Sequence, residues 1–264
     1  MRYSIVKRCE WNEKVDEIYQ AIHNVDSSDN LGDISKINGS DIPDIDIFFH
    51  SSPCQNFSNI HMTQKTGGEE GTENQSSLMW ESLRLLKEHP ETKICIWENV
   101  AAACRGVNKP NFDKYINTLD ELGYTSYWKV LNPKDFGVPQ NRARLFCVSI
   151  NKKYLNPDKF EMPVETYEKC DMFSYLDKSV DSKYIVPERV MKGMDNKTSI
   201  FRERFLIKKP GDIAYCLVAK GGRSTITCNY VFNDFNLYKN LPCEPNAKGL
   251  HFLAEHSDEY PIKN

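Results

Sequence analysis

The chain has 264 residues, 40% hydrophobic and 27% charged, which suits one large globular domain or a large domain joined to a smaller one. No apolar run is long enough to span a membrane, and the N-terminal residues lack the apolar core and cleavage site of a secretory signal. Nine scattered cysteines without a CxxC pair argue against a disulfide framework or a zinc site and predict reduced thiols in a cytoplasm. A net charge of −3 excludes a uniformly basic nucleic-acid binder.

The first part of the chain alternates short apolar runs with helical patterns, which predicts βα units around a parallel sheet. A strand is predicted over Tyr3–Cys9. Asn12 is expected to cap a helix that runs to about His23. One face of this helix carries the apolar residues Val15, Ile18, Tyr19 and Ile22.

Further elements follow in the same alternation. The predicted strands are Ile45–Phe49, Ile94–Trp97, Tyr127–Leu131 and Leu145–Ile150, and the predicted helices are Ser76–Glu88 and Phe112–Leu122. Gly123 supplies a left-handed stop after the second of these helices. Beyond about residue 151 the sequence becomes polar, basic and irregular, which predicts a first domain over residues 1–151 and a second region over 152–264.

Polar and reactive side chains follow several of the predicted strands. In open parallel sheets, ligands bind just beyond the carboxyl ends of the strands. We therefore expect these side chains to line one cleft. They are Glu10 and Trp11, Asp33 and Ile34, the segment from Ser51 to Gln55, and Glu98 with Asn99.

Each position has a chemical interpretation and a structural alternative. Glu10 can accept hydrogen bonds from ribose hydroxyls while Trp11 stacks on a base, but a surface Glu beside a core Trp fits equally well. Asp33 could accept from an exocyclic amine, although an Asp before a turn is commonplace. Cys54 follows Pro53 in a loop after a buried strand, where a thiolate could act as a nucleophile, whereas most such cysteines are structural.

Two later features suit recognition of a polar ring. Glu98 is placed to protonate or to hydrogen-bond a ring nitrogen; its alternative is a capping or turn carboxylate. Arg142 and Arg144 alternate on an extended segment, so that both guanidinium groups could face one side and bind a phosphate or a carbonyl oxygen. The alternative is an ordinary pair of arginines at a sheet edge.

The order of these signals is more specific than any of them alone. SSPCQNFS, then WENV, then QNRARLF resemble the motifs of the cytosine-C5 DNA methyltransferases, and CEWNE and GDISKI resemble that family's cofactor-side motifs. The resemblance covers roughly residues 3–150. It implies a Rossmann-like α/β sheet with helices on both faces and a smaller irregular target-recognition region. It also implies methyl transfer from S-adenosylmethionine to a flipped-out cytosine, in restriction–modification or phage self-protection.

The resemblance assigns roles to individual residues. Cys54 matches the nucleophile, Glu98 the residue that holds the cytosine N3 and N4 edge, and Arg144, with Arg142 more weakly, the arginines that contact the cytosine carbonyl and DNA. The residues implied to contact the cofactor are Glu10, Trp11, Asp33, Ile34, Pro53 and Leu78. Residues 56–73 match a mobile loop that closes over DNA.

Duplex DNA is the implied partner. The residues expected to contact it are Gln55, Ser58, Gln140 and Arg223. From Lys183 to Tyr230 there are ten Lys or Arg residues against four Asp or Glu residues, which favours contact with phosphates over a solvated basic face. Within KGGRST, Arg223 is suited to reading guanine, the alternative being a flexible surface hairpin.

Two departures from the family pattern keep other functions open. No glycine-rich FxGxG-like strand precedes CEWNE, and the final motifs are not found in the last thirty or so residues. The chain could therefore need a second polypeptide that supplies the first strand. It could also be an inactive relic, a DNA-binding subunit of a split enzyme, or an RNA cytosine-C5 methyltransferase.

Overall fold

A computed structural model defines the fold. The residues that it describes are 4–54, 57, 68–71, 75–177, 180–181, 185–195, 207–215, 229–232, 235–239, 242–243 and 250–263. The chain divides into two compact units. The first contains Met1–Leu131 and Ala143–Val164, and the second contains Asn132–Arg142 and Glu165–Asn264. The domain boundary predicted near residue 151 stays a prediction, since compactness does not define where an independently folding domain ends.

A four-stranded sheet forms the centre of the first unit. Its strands are β1 (Ile47–His50), β2 (Ile94–Val100), β3 (Tyr124–Leu131) and β5 (Arg144–Asn151), in the order β1-β2-β5-β3. β1 and β2 are parallel, but β5 runs antiparallel to both β2 and β3. The expectation of a parallel sheet is therefore wrong for β5, whereas β1, β2 and β3 run in the same direction. The segment between β3 and β5 contains no α-helix to carry the chain back across the sheet, so β5 returns antiparallel.

The described residues of the first unit form three α-helices, namely α1 (Glu13–His23), α2 (Met79–Glu88) and α3 (Lys109–Glu121). The predicted cap of α1 is confirmed, because the Asn12 side chain accepts from the backbone amides of Lys14 and Val15. Gly123 has a φ of 88° after α3, as its predicted stop requires. The core packs α2 and α3 on the sheet through Met79, Leu83, Leu86, Phe112, Tyr115, Leu119, Cys95, Trp97, Leu145 and Cys147.

The strand predicted over Tyr3–Cys9 is not formed in residues 4–9. A single parallel bridge joins Arg8 to Asn30, with Arg8 N donating to Asp29 O at 2.9 Å. The Arg8 guanidinium instead forms a 2.6 Å ion pair with Asp16 of α1, and both side chains are nearly buried. A strand needs a neighbour to satisfy its amides and carbonyls, and this segment has one for only part of its length.

Several apolar residues near the start of the chain are exposed. Among the described strands, β1 lies at the edge of the sheet, and its residues Ile47 and Phe49 are 49% and 60% exposed. The apolar face predicted for α1 is not buried either, because Val15, Ile18 and Ile22 are all exposed and the buried residue of this helix is Asp16. The apolar periodicity of the helix is therefore present, but the described residues provide no surface that covers it.

The second unit contains shorter elements. They are β4 (Gln140–Asn141), β6 (Ala214–Tyr215), β7 (Val231–Phe232), β8 (Ile262–Lys263), α4 (Glu188–Asp195) and a last helix, α5 (Leu250–Glu255). β4 pairs with β6 in parallel and β7 with β8 antiparallel. A separate core includes Met191, Ile207, Phe232, Leu253 and Ile262. In neither unit does a helix of the described residues have the length and apolarity to cross a membrane.

Candidate active site

Glu98 meets the end of β1 because β1 and β2 run side by side in parallel. His50, the last residue of β1, is in register with Trp97 of β2, so the next residues along each strand, Ser51 and Glu98, are neighbours. The Ser51 hydroxyl donates to Glu98 Oε2 at 2.6 Å. The sequence predicted that Glu98 follows the strand. Glu98 instead lies inside β2, because antiparallel pairing with β5 continues to Val100.

Arg144 holds the other oxygen of the same carboxylate. Its Nε atom is 3.1 Å from Glu98 Oε1, and both side chains are 21% exposed. Arg144 is paired with Val100 across β2 and β5, so that its side chain and that of Glu98 project from the same face of the sheet. The structure thus brings together two residues that the sequence places more than forty positions apart.

Buried hydrogen bonds fix Ser52 in the loop formed by residues 51–54, here called the Cys54 loop. The Asn99 side-chain amide donates to the Ser52 carbonyl oxygen at 2.9 Å, and the Trp97 indole N–H is 3.2 Å from the Ser52 hydroxyl. Sequence reasoning named Asn99 only by its position and missed this role. The signal was available, since Trp97 and Asn99 alternate with Glu98 and so point to the opposite, buried face.

Cys54 is exposed at the end of this loop, and its carbonyl accepts from the Phe57 amide at 3.1 Å. Two sheet cysteines differ from it sharply. Cys95 and Cys147 are buried, and burial raises the pKa of Cys147 to about 12 and that of Cys95 further. Since the thiolate is the reactive form, these two thiols are unsuited to nucleophilic chemistry, whereas Cys54 is accessible to a substrate.

His50 is a polar residue in the apolar run IFFH that sequence reasoning did not single out. Its ring is stacked on Trp97, with centroids 5.9 Å apart and planes 4° apart, and Nε2 is 2.8 Å from the Tyr115 hydroxyl. Burial lowers the pKa of His50 to about 3, so the imidazole is neutral near pH 7. It belongs to the packing beneath the Cys54 loop.

Glu10 and Trp11 are held in place by Asn30. The Asn30 side chain accepts from the Glu10 amide at 2.9 Å and donates to the Glu10 carbonyl at 2.8 Å. Glu10 Oε1 accepts from the Asn12 amide at 2.8 Å, and the Trp11 side chain is 76% exposed. An indole presented to solvent beside a carboxylate fits the adenine and ribose of a nucleoside, and the alternative of a core Trp is wrong.

The carboxylate of Asp33 caps a short turn. It accepts from the Ser35 amide at 3.0 Å and from the Ser35 hydroxyl at 2.8 Å, and these hydrogen bonds lower the pKa of Asp33. Arg84 donates to the carbonyl oxygen of Ile34 at 3.1 Å. Leu78 ends a 3₁₀ turn directly before α2 and is half-buried, as is Pro53.

The remaining predicted site residues lie in different units or outside the described residues. Arg142 and Gln140 belong to the second unit, whereas Arg144 belongs to the first. The Arg142 amide donates to Asn132 Oδ1 at 3.0 Å, and Gln140 pairs with Ala214. Outside the described residues lie Gln55, Ser58, Arg223 and most of the 56–73 loop. Within the described part of the chain, no group of three or more His, Cys, Asp or Glu residues could hold a metal ion.

Curated proteins similar to this chain include bacterial Type II methyltransferases. The Type II methyltransferase M2.ScrFI of Lactococcus lactis subsp. cremoris is 39% identical over 156 residues, which cover 59% of this chain and 41% of that protein. The Type II methyltransferase M.SsoII of Shigella sonnei is 34% identical over 191 residues, 72% of this chain and 48% of the relative. The aligned part of the chain thus spans less than half the length of these two relatives.

Solved structures confirm the fold. A variant of Spodoptera frugiperda DNMT2 superposes with a TM-score of 0.70 at 16% identity, covering 100% of this chain and 78% of that one. The S. pombe Dnmt2 methyltransferase gives a TM-score of 0.66 at 17% identity, covering 98% and 75%. The predicted α/β methyltransferase fold is therefore confirmed.

The family assignment rests on most of the chain. Residues 1–214 match the family described as C-5 cytosine-specific DNA methylase. This range contains Cys54, Glu98 and Arg144, the residues on which the resemblance was based, together with both strands that position Glu98. The chain belongs to the C-5 cytosine-specific DNA methylase family.

Proposed function

We propose that this chain carries the catalytic centre of an enzyme that methylates C5 of a flipped-out cytosine in DNA, through a covalent bond to Cys54. The observation that carries the proposal is the arrangement around Glu98, whose two oxygens contact Ser51 and Arg144. Cys54 is exposed three residues beyond Ser51. The similarity to Type II methyltransferases supports DNA as the substrate.

The proposed chemistry starts from the low reactivity of cytosine C5. The Cys54 thiolate adds to C6, the electrons of the C5–C6 double bond form a C4–C5 double bond, and those of the C4–N3 double bond move to N3. Glu98 holds the N3 and N4 edge and supplies a proton to N3. C5 is then nucleophilic. S-adenosylmethionine, when bound, supplies an electrophilic methyl group. Loss of the C5 proton to solvent restores the C5–C6 double bond and expels the Cys54 thiolate, and N3 returns its proton to Glu98. The base must leave the helix first, because these atoms are inaccessible in a duplex.

Residues of the first unit fit the cofactor in part. The exposed indole of Trp11 is available to stack on adenine, and Glu10 has a second carboxylate oxygen for a ribose hydroxyl. Asp33 and Ile34 would meet the adenine edge, and Pro53 and Leu78 the methionine end. Glu10 is held by the Asn30 side chain and, among the described residues, not by a sheet, so this segment is less firmly fixed than one inside a β-sheet.

An additional strand from a second polypeptide is part of the proposal. Among the described residues β1 pairs on one side only, and Ile47 and Phe49 on it are exposed. Of the fifteen exposed large apolar residues among those described, seven lie within residues 4–50. An open strand edge next to apolar surface favours pairing with another strand. Such a strand would also give Arg8 and its neighbours a sheet to join.

Covalent trapping tests the proposed nucleophile. The probe is a duplex with 5-azacytosine in a mispaired target position, because its ring nitrogen makes C6 more electrophilic and lets addition occur without methyl transfer. Mispairing lowers the cost of flipping the base. We expect an adduct that resists denaturing electrophoresis, forms with the unaltered chain and with Cys170→Ala, and is lost with Cys54→Ala. Trapping by Cys54→Ala at the unaltered rate would overturn the assignment.

Methyl transfer is tested separately on DNA that carries 5-fluorocytosine, with S-adenosylmethionine at a saturating concentration or with the additional strand supplied. Fluorine cannot leave C5 as a proton does, so the methylated adduct persists. We expect the trapped peptide to contain Cys54 and the mass of one added methyl group. The same experiment on RNA distinguishes the two substrates, since equal trapping on RNA would contradict a DNA-specific enzyme.

A further inference from the structure

The Ser51 hydroxyl makes the shorter of the two contacts to Glu98. It donates to Oε2 at 2.6 Å, while the Arg144 guanidinium is 3.1 Å from Oε1. We propose that Ser51 is a positioning residue for the reaction, which fixes the plane of the Glu98 carboxylate toward the target base. This inference rests on the proposed function, because it assigns a partner to the residue that holds the cytosine ring.

Two donors are needed to fix a carboxylate plane. The last torsion of a glutamate side chain joins an sp³ carbon to an sp² carbon, and such torsions have broad, poorly defined minima. A single contact from Arg144 to Oε1 leaves the group free to turn about that bond. A second donor on Oε2 defines both oxygens, so that one orientation is held before the base arrives.

The fold makes this contact dependent on the Cys54 loop. Ser51 follows directly after β1, and the next residue, Ser52, is clamped by Asn99 and Trp97 of β2. Ser51 is therefore fixed from both sides, although its own side chain is exposed. Because Ser51 and Cys54 lie in one short segment, the orientation of Glu98 is set by the loop that presents the nucleophile. Acid and nucleophile are thereby aligned together.

The test is a double-mutant cycle on the rate of adduct formation with the mispaired 5-azacytosine duplex. Ser51→Ala should slow the reaction about tenfold, near the lower end for a hydrogen bond to a charged group. Ser51→Thr retains the hydroxyl and should restore most of the rate. In a Glu98→Gln background, Ser51→Ala should cause no further loss. Ser126→Ala, which removes a hydroxyl pair with Ser149 elsewhere in the sheet, is the matched control and should react at the unaltered rate.

Each outcome is decisive. An unaltered rate for Ser51→Ala, with an active parent chain, would overturn the positioning role alone. An equal loss from Ser51→Ala in the parent and in the Glu98→Gln background would show that Ser51 acts independently of the carboxylate and would also overturn it. No trapping by the parent chain would overturn the proposed function and this inference with it. Circular dichroism of Ser51→Ala should match the parent, since an exposed hydroxyl contributes little to folding.

Discussion

The Nε atom of Arg144 lies 3.1 Å from Oε1 of Glu98, across the antiparallel strands β5 and β2. Both side chains are about one-fifth exposed, so the pair is neither a solvated surface contact nor a fully buried one. The guanidinium can hold the carboxylate and still reach a ligand with its other donors. Under the proposed function, one arginine would serve both to recognise the base and to orient Glu98.

Replacing Glu98 by Gln should remove most turnover and leave the fold intact. The amide has nearly the same shape but cannot supply a proton, and a positioned acid contributes a factor of roughly 10²–10⁴. Single-turnover methyl transfer in a reconstituted system is the measurement. Glu121→Gln, at the exposed end of α3, is the control. A rate within a fewfold of the parent would refute the role.

Cys54 should be alkylated in the native protein while Cys95 and Cys147 are not. Cys54 is exposed, whereas the other two are buried and burial raises their thiol pKa, that of Cys147 to about 12. Iodoacetamide treatment at neutral pH, followed by peptide mass spectrometry, measures each site separately. All three should react after denaturation. Native labelling of Cys95 as fast as Cys54 would contradict the packing of β2.

Because its buried imidazole resists protonation, His50 should make the folded protein less stable as the pH falls. Its pKa is about 3 in the folded protein, against an ordinary value of 6.5. Between these values the unfolded chain binds a proton that the folded chain does not, so the free energy of unfolding falls as the pH drops from about 6.5 to about 3. The slope from one such group is at most about 1.4 kcal/mol per pH unit.

Urea unfolding of His50→Gln over this pH range tests the effect. The glutamine can still bond the Tyr115 hydroxyl but cannot titrate, so the pH dependence should become shallower even if overall stability falls. His23→Gln, at the exposed end of α1, should keep the parent slope. Parallel pH profiles for the parent and His50→Gln would show that His50 is not the responsible group.

The chain by itself should bind S-adenosylmethionine weakly. Glu10 and Trp11 lie in a segment that is held by a few hydrogen bonds and, among the described residues, by a single bridge at Arg8, so its local stability is low and binding has to restrict its motion. Isothermal calorimetry on the purified chain measures the affinity, with Trp11→Ala as the comparison. Micromolar binding accompanied by methyl transfer would show that no additional strand is required.

Arg223 should govern base choice at one position of the target site. It lies in KGGRST, outside the described residues, where the two glycines permit close approach of the backbone to DNA. Loss of a bidentate arginine contact to guanine weakens discrimination by about 1–3 kcal/mol. Sequencing of methylated sites should show relaxed preference with Arg223→Ala but not with Lys220→Ala. An unchanged methylation pattern would favour the flexible-hairpin alternative.

The local features of the fold could be predicted from the sequence, but most of the pairing between distant strands could not. Asn12 and Gly123 were identified correctly because caps and left-handed stops depend on neighbouring residues. The antiparallel direction of β5 and the extension of β2 through Glu98 depend on pairing between distant segments. For the same reason the contact between Ser51 and Glu98 could not be predicted from the sequence. Cys54 and Arg144 could be named as candidates, because the order of the motifs is visible in the sequence itself.

Among the described strands of the four-stranded sheet, β1, which precedes Cys54, has the least support. β1 has four residues and, within the described part of the chain, is hydrogen-bonded along one side only, and Cys54 lies four residues beyond its end. Local stability falls where few backbone bonds and few buried contacts hold a segment. Fraying of β1 would therefore separate Cys54 and Ser51 from Glu98 while β2, β5 and β3 remained paired. Its amide hydrogens should exchange with solvent well before those of β2.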